Sequence, residues 1–370
     1  MRILVDARLY GLENAGLGRY VMNLVQEFAN QDRNNEYTIL LRKKYFNQLK
    51  LPSNFTKVLA DFRHYSVREQ LLLPFLIRKF GPDIVHYPHF NVPLMATGRF
   101  VVTIHDLLMH GSGGKGVTTL NRFSYIVKRF GYKLVFRKAV KASKRIIVPS
   151  NFVKSELVRC YGVNKERIVV TVEGVDSKIT LKRNNAGILD KYNLVKPFVI
   201  YTGNAYPHKN LKRAIKAIIL LKKEVTFAIV SSRDVFTKRL QKTIKELKAG
   251  KQVKLLGFVP DDELAVLYKS SVCFLFPSLS EGFGLPGLEA MSIGTVLLVS
   301  DISVFREVYG DGAIYFDPRS TFSIKNSLDK VLSLEPQGRL RMLKKGKQIS
   351  NQYSWTKMAK KTLSVYNEAL

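Results

Sequence analysis

Cysteine is scarce. Cys160 and Cys273 stand far apart with no metal-ligand spacing around either, which excludes a disulfide scaffold and a cysteine zinc site. Cys273, between Val272 and Phe274, reads as a buried thiol, and Cys160 lies between Arg159 and Tyr161. Long apolar runs are also missing. Met1–Val5 meets Asp6 before any stretch that could be a signal peptide, and the longest later run, Leu71–Ile77, is interrupted by Pro74 and too short to span a bilayer. A cytoplasmic location is expected. Acidic residues are few: 29 Asp and Glu stand against 60 Lys and Arg, a formal net charge of +31. None of those acids lies between Leu107 and Lys154. Such an excess calls for a polyanionic partner, an anionic membrane or a nucleic acid, or else reflects a lysine-rich lineage.

What is present is ordinary for a globular chain, with 46% hydrophobic and 24% charged residues. At 370 residues the chain exceeds the size at which one core keeps growing, so two domains are expected. Short β-branched runs at Ile3–Val5, Tyr37–Leu41, Ile84–His86, Val101–Ile104 and Ile146–Val148 read as buried strands alternating with amphipathic stretches. After a looser basic segment from Ser177 to Asn193 the rhythm restarts, at Phe198–Tyr201, Phe227–Val230, Val253–Leu256, Val272–Phe276 and Val296–Val299. The expectation is α/β, two doubly wound parallel sheets.

The acid-free region opens with the flexible patch Gly111–Gly116 and continues as a helix expected over Asn121–Ala142. That helix mixes Phe123, Tyr125, Ile126, Phe130, Leu134 and Val135 with Arg122, Lys128, Arg129, Lys133, Arg137, Lys138 and Lys141. Two readings stand open: a basic, aromatic helix on a membrane surface, or a layer helix on its sheet with solvated lysines.

In open parallel sheets ligands gather beyond the carboxyl ends of strands, where loops enter helices whose N–H groups attract phosphate. The first such loop runs from Asp6 through Gly11, Gly16 and Gly18 into a helix with Val21, Leu24, Val25 and Phe28 on one face. Gly16 and Gly18 would let backbone approach a ligand, or simply make a tight turn. A dinucleotide fingerprint is excluded, since Val21 stands where its third glycine would be. The richer stretch is Phe276–Met291, which follows a strand and opens a helix. Gly282 and Gly284 free its backbone, Pro286 suits the first helical turn, and Glu289 falls about one turn in. Glu281 and Glu289 thus bracket a backbone-lined pocket in which two carboxylates could each hold hydroxyls. An acid near a helix start also complements the dipole, which accounts for Glu289 but not for Glu281.

Glu281 and Glu289, seven residues apart in Glu-Gly-Phe-Gly-Leu-Pro-Gly-Leu-Glu, resemble the signature of family 4 retaining glycosyltransferases of the GT-B fold. The resemblance covers nearly the whole chain, through Asp6-Ala7-Arg8, Gly16-Leu17-Gly18-Arg19-Tyr20, Thr103-Ile104-His105-Asp106, Val148-Pro149-Ser150 and Glu173-Gly174-Val175-Asp176. It continues through Pro207-His208-Lys209-Asn210-Leu211, Gly257-Phe258-Val259-Pro260 and Ser354-Trp355. It implies two Rossmann-like domains facing a central cleft: 1–178 on the acceptor side, 179–352 holding the nucleotide sugar, and 353–370 as a helix crossing back. It also implies a role for each matching residue. Lys209 would neutralise donor phosphate, Glu289 bind the ribose, and Glu281 contact the donor sugar beside backbone N–H groups of Phe283, Gly284 and Leu285. Gly16 and Gly18 would close on the phosphates. His105, a satisfied buried histidine on its residues alone, would lie by the reacting sugar. Many relatives carry Arg where this chain has Asn204, so phosphate neutralisation would be weaker unless His208 or Arg19 compensates. Catalytic roles are thus expected for Glu281, His105 and Lys209.

His86 and His89 could suggest a metal pair, but they read better as part of a strand-end loop, and the family generally uses no essential metal or cofactor. The pattern looks most like the mannosyltransferase-like branch of surface polysaccharide assembly. GDP-mannose is the first expected donor, with UDP-sugars open. The expected acceptor is a lipid-linked glycan at the inner membrane face, reached through basic residues around 115–145, and transfer would proceed with retention. No nucleic-acid partner is expected. The alternatives are a non-enzymatic nucleic-acid-binding protein, favoured by charge but lacking a binding module, and a phosphorylase or glycan synthase on the same fold.

Overall fold

The computed structural model describes residues 1–107, 122–175, 187–231 and 235–370, with backbone only for 122–125. Gly111–Gly116 with Lys115, the start of the expected helix at Asn121, Asp176 and the linker as far as 186 lie outside the described residues. Two compact units emerge. One holds Met1–Leu107, the chain from 122 to Gly174, and Ser354–Leu370, while the other holds the chain described between Val175 and Tyr353.

The first unit is built on seven strands: β1 (Arg2–Val5), β2 (Glu36–Leu41), β3 (Phe55–Leu59), β4 (Ile84–Tyr87), β5 (Phe100–Thr103), β6 (Arg145–Val148) and β7 (Ile168–Val170). All neighbours are parallel in the order β3-β2-β1-β4-β5-β6-β7, with Val5 registered on Ile39 and on His86. The order turns at β1 and β4, which makes their carboxyl ends the switch point of the sheet. One face buries Leu4, Leu40, Val85, Val102, Ile146 and Val148 under three helices. These are Val67–Phe80 with Leu73 and Ile77, Arg122–Ala142 with Phe136, Ala139 and Val140, and Asn151–Tyr161 with Val153 and Leu157.

The helix Ala15–Gln31 turns Val21, Leu24, Val25 and Phe28 into the protein, and Phe28 meets Tyr366 of the final helix, Trp355–Ala369, at 5.8 Å. His86 joins the same layer. Its Nε2 lies 2.8 Å from Thr103 Oγ1 and its Nδ1 2.6 Å from the Tyr366 hydroxyl, so both ring nitrogens are engaged and neither is left for a metal. Gly174 is where the final helix starts its approach: a Cβ there would stand 2.0 Å from the Trp355 nitrogen.

The second unit has six strands, all parallel: β8 (Phe198–Thr202), β9 (Thr226–Val230), β10 (Val253–Gly257), β11 (Phe274–Phe276), β12 (Leu297–Ser300) and β13 (Ala313–Phe316). Their order, β10-β9-β8-β11-β12-β13, puts the switch point between β8 and β11. Both sheets are therefore doubly wound. Strands β3, β7 and β13, which the sequence pattern does not announce, are all edge strands.

Among its described side chains, the helix Arg122–Ala142 buries Phe136, Ala139 and Val140, all in its C-terminal half. Ile126, Val127, Phe130 and Leu134 are exposed apolar side chains, interleaved with exposed Lys128, Lys133 and Arg137.

Candidate active site

The second unit offers one set of chemical groups at its switch point. A turn after β8, Pro207–Lys209, ends at Asn210 in left-handed backbone with φ 60°. The Asn210 amide donates to the carbonyls of Pro277 (2.9 Å) and Pro318 (2.8 Å), and the Leu279 N–H donates to the His208 carbonyl at 2.8 Å. These bonds clamp the turn to the loop after β11. In consequence Lys209 Nζ donates to Glu281 Oε1 at 2.6 Å, with side chains only 16% and 10% exposed, while its ammonium lies 5.6 Å from the Phe276 ring centre. A shielded ammonium and carboxylate held this way can serve a phosphate and a hydroxyl respectively.

The same loop leads into the helix Leu285–Ile293. Gly284, at φ 108°, caps it without a side chain, and its carbonyl accepts from the Tyr309 hydroxyl. A Cβ at either Gly284 or Gly287 would lie 2.3 Å from that hydroxyl, so both glycines exist to let Tyr309 tuck beneath the loop. Pro286 occupies the first turn and has no N–H to lose. Glu289 is buried one turn in. The Phe283 ring packs edge-on against Tyr353 at 5.6 Å, so what Phe283 can offer a ligand is backbone.

Asn204 follows Gly203 in a turn where its carbonyl accepts from the Tyr201 hydroxyl at 2.9 Å. Burial, aided by Lys209, pushes the His208 imidazole down to about 4. It is therefore neutral near pH 7 and supplies no positive charge of its own. The sequence also passed over Thr202 and Ser278, whose buried hydroxyls at the ends of β8 and β11 have no hydrogen-bond partner among the described residues. Lone hydroxyls in loops give little pattern to read.

The first unit carries His105, just beyond β5. Its Nε2 lies 3.1 Å from the Pro88 carbonyl and its Nδ1 3.0 Å from Glu173 Oε1, while the Tyr20 ring stands edge-on at 4.6 Å. Both ring nitrogens therefore face oxygen acceptors, which fixes the plane of the ring. Glu173, buried and 68 residues away in sequence, is a partner that the sequence reading gave no role. Of the two glycines, Gly18 is fixed by close packing, since a Cβ there would stand 1.8 Å from the Gly11 carbonyl oxygen. Gly16 has nothing within 4 Å of such a Cβ, which leaves its backbone approachable.

Asp6-Ala7-Arg8 proves to be the start of a buried ionic hub. Arg8 donates through Nε and Nη2 to Asp6 at 2.6 and 2.5 Å, and through Nη2 to Glu69 at 2.8 Å. Burial alone would raise the Asp6 carboxyl, but the Arg8 guanidinium reverses this and holds it below its ordinary value.

Two family models match: Glycosyltransferase Family 4 over residues 15–178 and Glycosyl transferases group 1 over residues 190–349. The chain is 27% identical to O-antigen chain mannosyltransferase B of Escherichia coli, covering 95% of each protein. It is also 27% identical to O-antigen chain mannosyltransferase RfbU of Salmonella typhimurium, over 71% of this chain and 69% of that one. Its fold matches sucrose-phosphate synthase of Thermosynechococcus elongatus with a TM-score of 0.78 at 17% identity, over 100% of this chain and 98% of the other. With matching models over both halves and two doubly wound sheets of the GT-B kind, the chain belongs to the family 4 and group 1 glycosyltransferases.

Proposed function

We propose that this glycosyltransferase moves mannose from GDP-mannose, with retention of anomeric configuration, onto a lipid-linked glycan in surface polysaccharide assembly at the cytoplasmic membrane face. The observation that carries the donor reading is the shielded Lys209–Glu281 pair at the β8/β11 switch point, next to a helix start that no side chain caps. An ammonium and open N–H groups suit the leaving diphosphate. When phosphate takes Lys209, Glu281 is released to hold a hydroxyl of the donor sugar, and Glu289 takes the ribose. His105 hydrogen-bonds the reacting sugar, Gly16 brings backbone to the phosphates from the turn that Gly18 lets close, and the leaving diphosphate itself removes the acceptor proton, so no metal or cofactor is required. Mannose is favoured by the names of the relatives; a UDP-sugar is the alternative donor.

Membrane docking is supported by the exposed Ile126, Val127, Phe130 and Leu134 among basic residues of one helix. Each Lys or Arg near an anionic surface contributes on the order of 1 kcal/mol, enough in sum for reversible attachment.

The test is release of nucleotide from a panel of GDP- and UDP-sugars without acceptor. Wild type should hydrolyse one donor slowly and Glu281→Ala should abolish it; no binding or turnover of any donor would overturn the reading. The anomeric proton coupling of the transferred sugar checks retention, and an inverted product removes that part alone.

A further inference from the structure

The switch point of the second unit accounts for a donor, yet the first unit has a switch point of its own, between β1 and β4, and it too is furnished. Tyr65 sits there in left-handed backbone, φ 62°, a conformation that bulky side chains rarely adopt. It is held by Glu69, fully buried, whose Oε2 accepts the Tyr65 N–H at 2.7 Å. Glu69 is in turn fixed by Arg8 Nη2 and by the Asn91 amide, both at 2.8 Å, and its own N–H donates to Ser66 Oγ. This is a helix capping box moved by one residue, and its effect is to hold a strained tyrosine outward, 59% exposed. A core has no use for such a residue.

Facing it is His89. Its Nδ1 accepts the Asn91 N–H at 3.4 Å, which places the hydrogen on Nε2, and burial depresses the imidazole to about 3, so the ring is neutral. Nε2 lies 3.5 Å from the Tyr65 hydroxyl, the outer limit of a hydrogen bond. The two rings meet at 84° with centres 6.1 Å apart. Phe90 lies against His89 at 4.0 Å and is backed by Tyr132 at 5.0 Å. The result is an aromatic corner with one neutral N–H on its rim, and the buried Arg8 is already paired with Asp6 and Glu69. A hexose, with an apolar C–H face and a rim of hydroxyls, fits both features. His105 adjoins the corner, since it bonds the carbonyl of Pro88, the residue before His89.

We propose that Tyr65 and Phe90 form the walls, and His89 Nε2–H the hydroxyl donor, of a subsite for one sugar ring of the acceptor glycan. This rests on the glycosyltransferase reading and deepens it on the acceptor side.

The test uses the full chain and three probes, the methyl α-glycosides of mannose, glucose and galactose, followed by saturation-transfer NMR at millimolar concentration. Wild type should saturate at least one glycoside; Tyr65→Gly should lose that signal and Tyr65→Phe keep it. Because glycine relieves the strained backbone, Tyr65→Gly should melt no lower than wild type and should release nucleotide from donor at the wild-type rate. With a transferring acceptor its KM should rise about ten-fold with kcat little changed. Tyr65→Asn, which also tolerates left-handed backbone, serves if glycine loosens the helix start. No saturation of any probe by wild type, or equal saturation by Tyr65→Gly and Tyr65→Asn, overturns the proposal. If donor release fails in wild type while the NMR pattern holds, it is the donor reading that has failed and not the subsite.

Discussion

A single side chain, Arg8, ties β1 to the helix Val67–Phe80, and it does so as a buried ion. Arg8→Ala would strand Asp6 and Glu69 without a partner and should cost about 3–5 kcal/mol, read as a fall in the urea midpoint. Arg8→Met fills the volume but leaves both carboxylates buried, so it should fare no better. The same hub gives a pH signature. Since Asp6 is held below its ordinary value of 3.8, its contribution is complete above that value and is lost as pH falls through the lower folded value. Urea midpoints should drop below about pH 4 in wild type, and less so in Asp6→Asn. At the donor site Lys209→Ala should lower donor turnover on the order of 10²-fold, the scale of losing one preorganised charge-stabilising group, with circular dichroism unchanged. Glu281 and Glu289 stand out as candidates in the sequence because they lie in a short run crowded with glycine and proline, and Lys209 stands out through the family resemblance. Glu69 and Glu173 are not, because each finds its partner more than 60 residues away, and only the fold brings them together.

Elements separate what a glycine is for. Gly16 and Gly18 both lie in the first turn of the helix Ala15–Gln31 and look equivalent in the sequence. Gly18→Ala would drive a methyl into the Gly11 carbonyl and should destabilise by about 1–3 kcal/mol. Gly16→Ala meets no atom and should raise the melting temperature slightly, because alanine favours a helix by up to about 1 kcal/mol over glycine. If Gly16 also approaches donor phosphate, that stabler variant should turn over donor more slowly. Paired melting and turnover measurements separate the two effects. Strands show where pattern reading succeeds. Central strands such as Leu297–Ser300 are buried on both faces and read as continuous apolar runs, whereas the edge strand Phe55–Leu59 buries only Phe55 fully and exposes Thr56 and Leu59. Of the four edge strands, Val253–Gly257 is legible from its apolar run, whereas the short β3, β7 and β13 do not stand out from the segments around them.

The whole molecule carries +31, and eight exposed apolar side chains lie on two helices of the first unit. Val67, Leu71, Leu72 and Phe75 on the helix Val67–Phe80 join the four on Arg122–Ala142, and both helices cover the same face of the first sheet. Co-sedimentation with phosphatidylglycerol vesicles should therefore fall steeply with salt, and Phe130→Ser with Leu134→Ser should weaken it at low salt. Equal sedimentation with neutral vesicles would remove the electrostatic part of the argument. One further consequence lies in the way the chain is threaded. It leaves the first unit at Gly174 and returns at Ser354, so the second unit is an insertion within the first. During synthesis the second unit has all its strands before Trp355–Ala369 is made, while the first waits with one sheet face only partly covered, Phe28 and His86 lacking Tyr366. The element that begins the polypeptide is thus completed last, and a fragment of residues 175–353 should fold alone where one of residues 1–174 should not.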